Sequence, residues 1–189
     1  MPTLEITLNA RLRPLDRGEV YEDPLQEVLE ARAPGSEIVG GGTMMSPDGE
    51  PLSCDVAIDL AGDSEAGLAL VVDVLQQLGA PRGSTARLGD NGPVVFGLSE
   101  GVGLYLNGTD LPEQVYAESD INELIGQLIA RLGERGGMHS YWQGPRETAL
   151  YFYGPSAREM AELMREVLDT HPLAQRSRLV SLTDPDAAL

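Results

Sequence analysis

One pattern of apolar positions runs through this chain twice, and a unit of about 90 residues repeated in tandem limits the folds available to those that such a unit can complete. At an offset of 96, Ile6, Leu8, Ala10 and Leu15 fall on Val102, Leu104, Leu106 and Leu111. At the same offset Leu25, Val28 and Leu29 fall on Ile121, Leu124 and Ile125, and Gly40-Gly41 falls on Gly136-Gly137. Three fewer residues in one turn change the offset to 93, and the run from Leu70 to Leu75 then meets Leu163 to Leu168, with Ser84 on Ser177. Apolar positions are kept better than polar ones, as expected when both copies must fill a close-packed interior.

Each copy reads as βαββαβ. In the first, Leu4, Ile6, Leu8, Ala10 and Leu12 alternate with Glu5, Thr7, Asn9 and Arg11, the period of a strand with one wet face. Asp23-Pro24 opens a short helix whose stripe is Leu25, Val28 and Leu29. A hairpin follows, with arms at 37–45 and 52–60 joined by Ser46-Pro47-Asp48-Gly49-Glu50-Pro51. Asp63 caps a second helix over 64–78, Gly79 stops it, and a strand at 84–88 closes the unit. The second copy predicts a strand at 102–107, a helix at 119–132, strands at 138–143 and 148–153, a helix at 156–170 and a strand at 178–182.

That order is the ferredoxin-like one, in which two helices cover one face of a four-stranded antiparallel sheet. The expected fold is therefore α+β: tandem βαββαβ ferredoxin-like units with antiparallel sheets, packed as a pseudo-twofold pair. The expected boundaries are 1–92 and 93–183, with a mobile tail at 184–189. Val94-Val95-Phe96 is expected to extend the strand after it or to add one.

Charge narrows the chemistry. Thirty acids oppose thirteen bases, for a net charge of -17, and every base is an arginine. Without lysine there is no Schiff-base chemistry, no lysine-tethered cofactor and no phosphate-gripping lysine of a P-loop. Strong negative charge opposes nucleic-acid binding, where phosphate neutralisation supplies most of the affinity. No apolar run approaches the ~18 residues of a bilayer helix, and Met1 to Glu5 lacks the basic start of a signal peptide, so a bacterial-type cytoplasm is the expected location. Cys54 is the only cysteine, alternates with Leu52, Val56 and Ile58, and is expected to point into the core.

The short motifs read as structure. Gly97-Leu98-Ser99-Glu100-Gly101 matches G-x-S-x-G, but the residues after it alternate like a strand where a nucleophile elbow demands a helix. Gly40-Gly41-Gly42 precedes no helix, so a bulge or a close approach of a helix explains it better than a phosphate cradle. His139 and His171 lack ligand partners at metal-site spacing, and Asp55, Asp59, Asp63 and Glu65 lack the spacing of a calcium loop. No cofactor, metal or catalytic residue is expected. His171, before Pro172, is expected to close a helix C-terminus.

The aromatic residues do cluster. Tyr141, Trp142, Tyr151, Phe152 and Tyr153 lie on the two arms of the second hairpin, joined by Gly144-Pro145-Arg146-Glu147. Strand neighbours face opposite ways, so part of this aromatic surface must be covered by the other repeat or by a partner. The residues expected to bind a partner are Tyr141, Trp142, Arg146, Tyr151 and Tyr153, with Asp55 and Asp59 of the first unit. The expected function is a non-enzymatic, acidic protein-binding module, most concretely an immunity-type antagonist of a basic toxin or effector. The alternative is a small-molecule sensor with its groove between the repeats, for which Thr43, His139, Tyr141 and Arg146 are the candidates. An enzyme whose acid-base pair is assembled across the repeats is the third reading.

Overall fold

The alternation at the start of the chain becomes β1 (Thr3–Leu8), with Leu4, Ile6 and Leu8 buried and Thr3, Glu5 and Thr7 exposed. The computed structural model describes residues 2–184, 186 and 189, and the chain divides into two compact units, Met1–Ser99 and Glu100–Leu189. After β1 the first unit continues with α1 (Pro14–Arg17), a π-helical turn (Gly18–Glu22), α2 (Asp23–Arg32), β2 (Glu37–Met45), β3 (Pro51–Asp59), α3 (Ser64–Gln77), β4 (Ser84–Leu88) and β5 (Val94–Phe96). Its strands form one antiparallel sheet in the order β2-β3-β1-β4-β5.

The second unit comprises β6 (Glu100–Asn107), α4 (Glu113–Glu118), α5 (Ile121–Leu132), β7 (Gly137–Gln143), β8 (Glu147–Gly154), α6 (Ala157–Leu168) and β9 (Arg178–Ser181). Its antiparallel sheet has the order β7-β8-β6-β9, which repeats the first four strands of the other sheet position by position. Both units are thus α+β with a ferredoxin-like strand order.

Each core lies between the helices and one face of a sheet. In the first unit Leu4, Ile6, Leu8, Val56 and Ile58 of the sheet and Leu25, Leu29, Val71 and Leu75 of the helices are all buried; in the second Val102, Leu104, Leu150 and Phe152 cluster with Leu124, Leu128, Met160 and Met164. Burying each such side chain contributes roughly 1.5–3 kcal/mol. The helices keep different phases of the repeat. Gly67 and Val71 of α3 match Met160 and Met164 of α6 at the offset of 93, but the buried Leu25 and Leu29 of α2 match Leu124 and Leu128 of α5 at 99, not 96.

Several elements depart from the sequence expectation. β1 stops at Leu8, and the buried Ala10 and Leu12 continue beside it with their carbonyls accepting from the Cys54 thiol at 3.3 and 3.5 Å. The helix before Asp23 starts at Pro14, a residue suited to the first helical turn. The helix expected over 119–132 breaks before Asp120, whose Oδ1 accepts from the Asn122 amide at 2.8 Å and caps α5. β5 pairs with β4, so 93–99 belongs to the first unit and the division falls after Ser99, not after residue 92. Gly97 fixes that junction: its φ is +102° and a Cβ there would lie 2.0 Å from the Pro81 carbonyl oxygen. Of the tail expected to be mobile, Pro185, Ala187 and Ala188 lie outside the described residues, while Leu189 packs against the second core.

Candidate functional site

The second hairpin divides its aromatic residues between the interior and the surface. Phe152 faces the helices with Leu150. Tyr151 and Tyr153 point to the other face of the sheet, yet both are buried, so neither is available to a partner. Tyr153 lies over Gly101, and Tyr105 lies over Gly103; in each case a Cβ on the glycine would come within 3.0 Å of the ring. The glycines are bare because rings lie flat across the strand, a packing that a side chain would prevent. Tyr141 is exposed on edge strand β7, and Trp142, half-buried, folds its ring onto Gly144. Arg146 is exposed at the hairpin tip. The structure thus keeps Tyr141, Trp142 and Arg146 near one loop and withdraws Tyr151 and Tyr153 into the fold.

Arg146 also borders a cleft of about 580 Å³ that lies wholly in the second unit. Leu106 and Leu173, both buried, form its floor with Ile121, and Asp120, Gln143 and Thr148 stand on its walls. Tyr116 fixes one side: its hydroxyl donates to the Asn107 carbonyl at 3.2 Å and accepts from the Leu111 amide at 3.1 Å. The side chains of Arg146, Gln143 and Thr148 make no hydrogen bond or ion pair among the described residues. A concave apolar floor with a few free polar groups around it is the usual form of a small-molecule site. Sequence reading put Arg146 at the tip but missed Asp120, Gln143 and Thr148, because helix, strand and turn converge here from three separate segments.

In the first unit the expected acidic residues sit on the open face of the sheet. Asp55 is exposed and Asp59 half-exposed. Thr7 donates to Asp55 at 2.8 Å and Thr3 to Asp59 at 2.7 Å, and neither carboxylate meets an arginine among the described residues. Elsewhere the arginines are consumed locally: Arg11, Arg13, Arg17, Arg87, Arg131, Arg135, Arg158 and Arg178 each pair with a carboxylate.

The glycine triplet has a structural cause that sequence alone left open. Arg17, buried at the helix entry, donates through Nε to Glu22 at 2.7 Å and through Nη1 to the Gly42 carbonyl at 2.8 Å and the Thr43 hydroxyl at 3.1 Å. A Cβ on Gly41 would stand 2.7 Å from Glu22 Oε1 and 3.0 Å from Arg17 Nη2. The gap at Gly41 admits this ion pair. Gly137, its expected match, meets nothing nearer than His139 Cδ2 at 3.9 Å, whereas Gly136, the match of Gly40, makes room for Met160, whose Sδ would lie 2.3 Å from an added Cβ.

The remaining candidates have ordinary structural settings. Cys54 is buried, and burial pushes its thiol up, outweighing the polar surroundings at Leu12, Thr43 and Arg17 that act the other way. His139 occupies an irregularity of β7 between Met138 and Ser140, with its ring 5.2 Å from that of Tyr153. Its buried Nδ1 has no hydrogen-bond partner among the described residues, and burial lowers its pKa. His171 follows the end of α6, where its amide donates to the Val167 carbonyl at 3.1 Å, and its Nδ1 accepts from the Leu173 amide at 3.3 Å and caps the short 3-10 turn Pro172–Ala174. Thr43, named for a ligand groove, is held by Arg17. Ser99 lies between two strands, with its amide donating to Ala80 and its carbonyl accepting from Arg82, so no helix follows it. Among the described residues no group of three or more His, Cys, Asp or Glu could hold a metal ion, and no helix is long and apolar enough to cross a membrane.

No family model matches the chain, and no characterised protein matches it in sequence. Solved structures that align with it include a provisionally named glycine cleavage system transcriptional repressor, 16% identical with a TM-score of 0.36 over 97% of this chain and 98% of that one. An unknown protein from Galdieria sulphuraria is 13% identical with a TM-score of 0.29 over 95% of each chain. The ligand-free regulatory subunit of aspartate kinase from Thermus thermophilus is 12% identical with a TM-score of 0.27, covering 90% of this chain and 93% of that one. Likenesses this distant carry no conclusion about what the chain does.

Proposed function

We propose that this protein is a non-enzymatic binding module that engages a basic protein partner through carboxylates of its first unit. The observation that supports this reading is the local consumption of its arginines. Sixteen of the thirty acids but six of the thirteen arginines fall within residues 1–99, and four of those six are already ion-paired. Asp55 and Asp59 accept from threonine hydroxyls and meet no arginine among the described residues. A surface of this kind attracts a cationic partner at long range and repels anionic ones. In its most concrete form the partner is a basic toxin or effector that the module neutralises. Affinity purification of the full chain from its source cell at low and at high salt tests the reading, and recovery of no salt-sensitive protein would count against it.

The cleft of the second unit favours a second reading, a sensor of a small organic anion. Arg146 offers a free guanidinium and Leu106, Ile121 and Leu173 an apolar floor. The pseudo-twofold pairing expected from the repeat is not required, because every group in the cleft belongs to one unit. A ligand that binds only the folded protein raises its melting temperature. A metabolite library screened by thermal shift against the wild type and Arg146→Ala separates the two readings.

A further inference from the structure

Resting on the protein-binding reading above, we propose that the outer edge of β2 is the docking site, and that it receives an extended basic segment of the partner as an added strand of the first sheet. β2 is the outermost strand on its side of the sheet, and it is nine residues long. The opposite edge, β5, has three residues and offers a template a third as long.

A long open edge is a liability that proteins blunt with bulges, such as those near the two ends of β2, or with lysine, proline or inward-pointing charge along the strand. β2 carries no lysine, proline or charge between Ile38 and Met45, and its single charged residue, Glu37, stands at its first position. Val39, Met44 and Met45 are exposed at 49%, 59% and 47%. The register against β3 is broken at Ile38/Gly40 and at Met44/Met45, which leaves Gly40 to Met44 as a regular stretch. Two side chains serve the backbone of the strand, Gln26 accepting from the Ile38 amide at 3.1 Å and Arg17 donating to the Gly42 carbonyl; no other does so among the described residues. Gly40, Gly41 and Gly42 add no side chain of their own to the edge, and Arg17 engages it at the Gly42 carbonyl.

The charge beside this edge chooses the occupant. Asp55 lies opposite Gly42 in the register and Asp59 opposite Glu37. On the helix side Glu30 accepts from Gln26, the same side chain that caps Ile38. Glu30, Glu37, Asp55 and Asp59 meet no arginine among the described residues, whereas Glu22 is neutralised by Arg17. Uncompensated carboxylates therefore flank both faces of an apolar, glycine-rich strand. A second copy of this chain would bring a further net charge of -17 to the same edge, and an acidic or neutral strand would gain only main-chain hydrogen bonds. A segment alternating arginine with apolar residues gains those bonds, contacts with Val39 and Met44, and charge complementarity on either face.

The test is an amide NMR titration of the full-length protein with an eight-residue peptide alternating arginine and valine, and with its counterpart in which glutamate replaces arginine. The expected result is a salt-sensitive set of shifts centred on residues 37–45 and on Asp55, seen with the basic peptide and not with the acidic one. A double variant, Val39→Lys with Met44→Lys, changes exposed side chains only and should weaken binding about tenfold or more by placing like charges on the edge. An unchanged melting temperature shows that its fold is intact. No binding, equal binding of both peptides, or shifts confined to the second unit around Tyr141 would overturn the docking site. If salt-dependent purification recovers a partner that the double variant retains in full, this inference falls and the protein-binding reading stands.

Discussion

Arg17 Nε donates to Glu22 Oε1 at 2.7 Å, a pair separated by five residues. In an α-helix residues three or four apart share a face. The π-helical turn over Gly18–Glu22 widens the helix and brings the fifth residue round instead. The pair then fills the space left by the missing side chain of Gly41. Gly41→Ala should accordingly cost about 1–3 kcal/mol through overpacking, whereas Gly40→Ala, whose nearest neighbour would be Ala57 Cβ at 3.9 Å, should be neutral or slightly stabilising. Denaturant midpoints of the two variants measured side by side check this, and equal losses would show that the ion pair does not explain the triplet.

Asp63 accepts from the amides of Glu65 and Ala66 at 3.0 and 3.3 Å and so satisfies the first turn of α3. Replacing it with alanine should cost about 1 kcal/mol, and replacing it with serine much less. Urea denaturation of the pair of variants distinguishes a cap from a merely exposed carboxylate.

Arg178 lies 3.8 Å above the ring centroid of Tyr105 and pairs with Glu147 through two nitrogens. Lysine can keep the charge but not the planar fork or the stacking. Both partners are half-exposed, so Arg178→Lys should lose only about 0.5–1 kcal/mol. A double-mutant cycle with Glu147→Gln should return a coupling of the same order, and a coupling near zero would assign the loss to Tyr105 alone.

Burial holds the pKa of His139 below its ordinary value of 6.5. The unfolded chain therefore binds a proton at this position as pH falls through about 6.5 while the folded protein still resists it, so the contribution of His139 to stability is present above that pH and is lost on acidification. The unfolding free energy of the wild type should drop more steeply between pH 7.5 and pH 5 than that of His139→Gln, by at most about 1.4 kcal/mol per pH unit. Parallel slopes would show that the imidazole is not desolvated in solution.

Cys54 is fully buried with its thiol pushed up by that burial. A thiol-specific reagent at neutral pH should label it at the rate of unfolding and not at the rate of free cysteine. Rapid labelling of the native protein would contradict the packing of β3 against Ala10 and Leu12.

Much of the element order could be read from one dimension because it rests on periodicity. The alternation of Leu4, Ile6 and Leu8 produced β1, Pro47-Asp48-Gly49 turned the first hairpin, and Asp63 and Gly79 bounded α3. The phase of α2 against α5 could not be read this way, since a π-helical turn changes which residue comes round to the core without changing the apolar composition. The allegiance of Val94 to Phe96 was equally hidden, because a three-residue apolar run pairs with whichever edge the chain geometry presents.

The two βαββαβ orders, the excess of acid and the absence of lysine are legible in the chain alone, because period and charge are properties of the order of residues. The interior place of Tyr151 and Tyr153, the pairing of Arg17 with the glycine triplet and the position of Asp55 and Asp59 beside an open strand edge emerge only on folding. Those outcomes depend on register and on which sheet face is covered, and a shift of one residue in a strand exchanges inside for outside without altering a single letter.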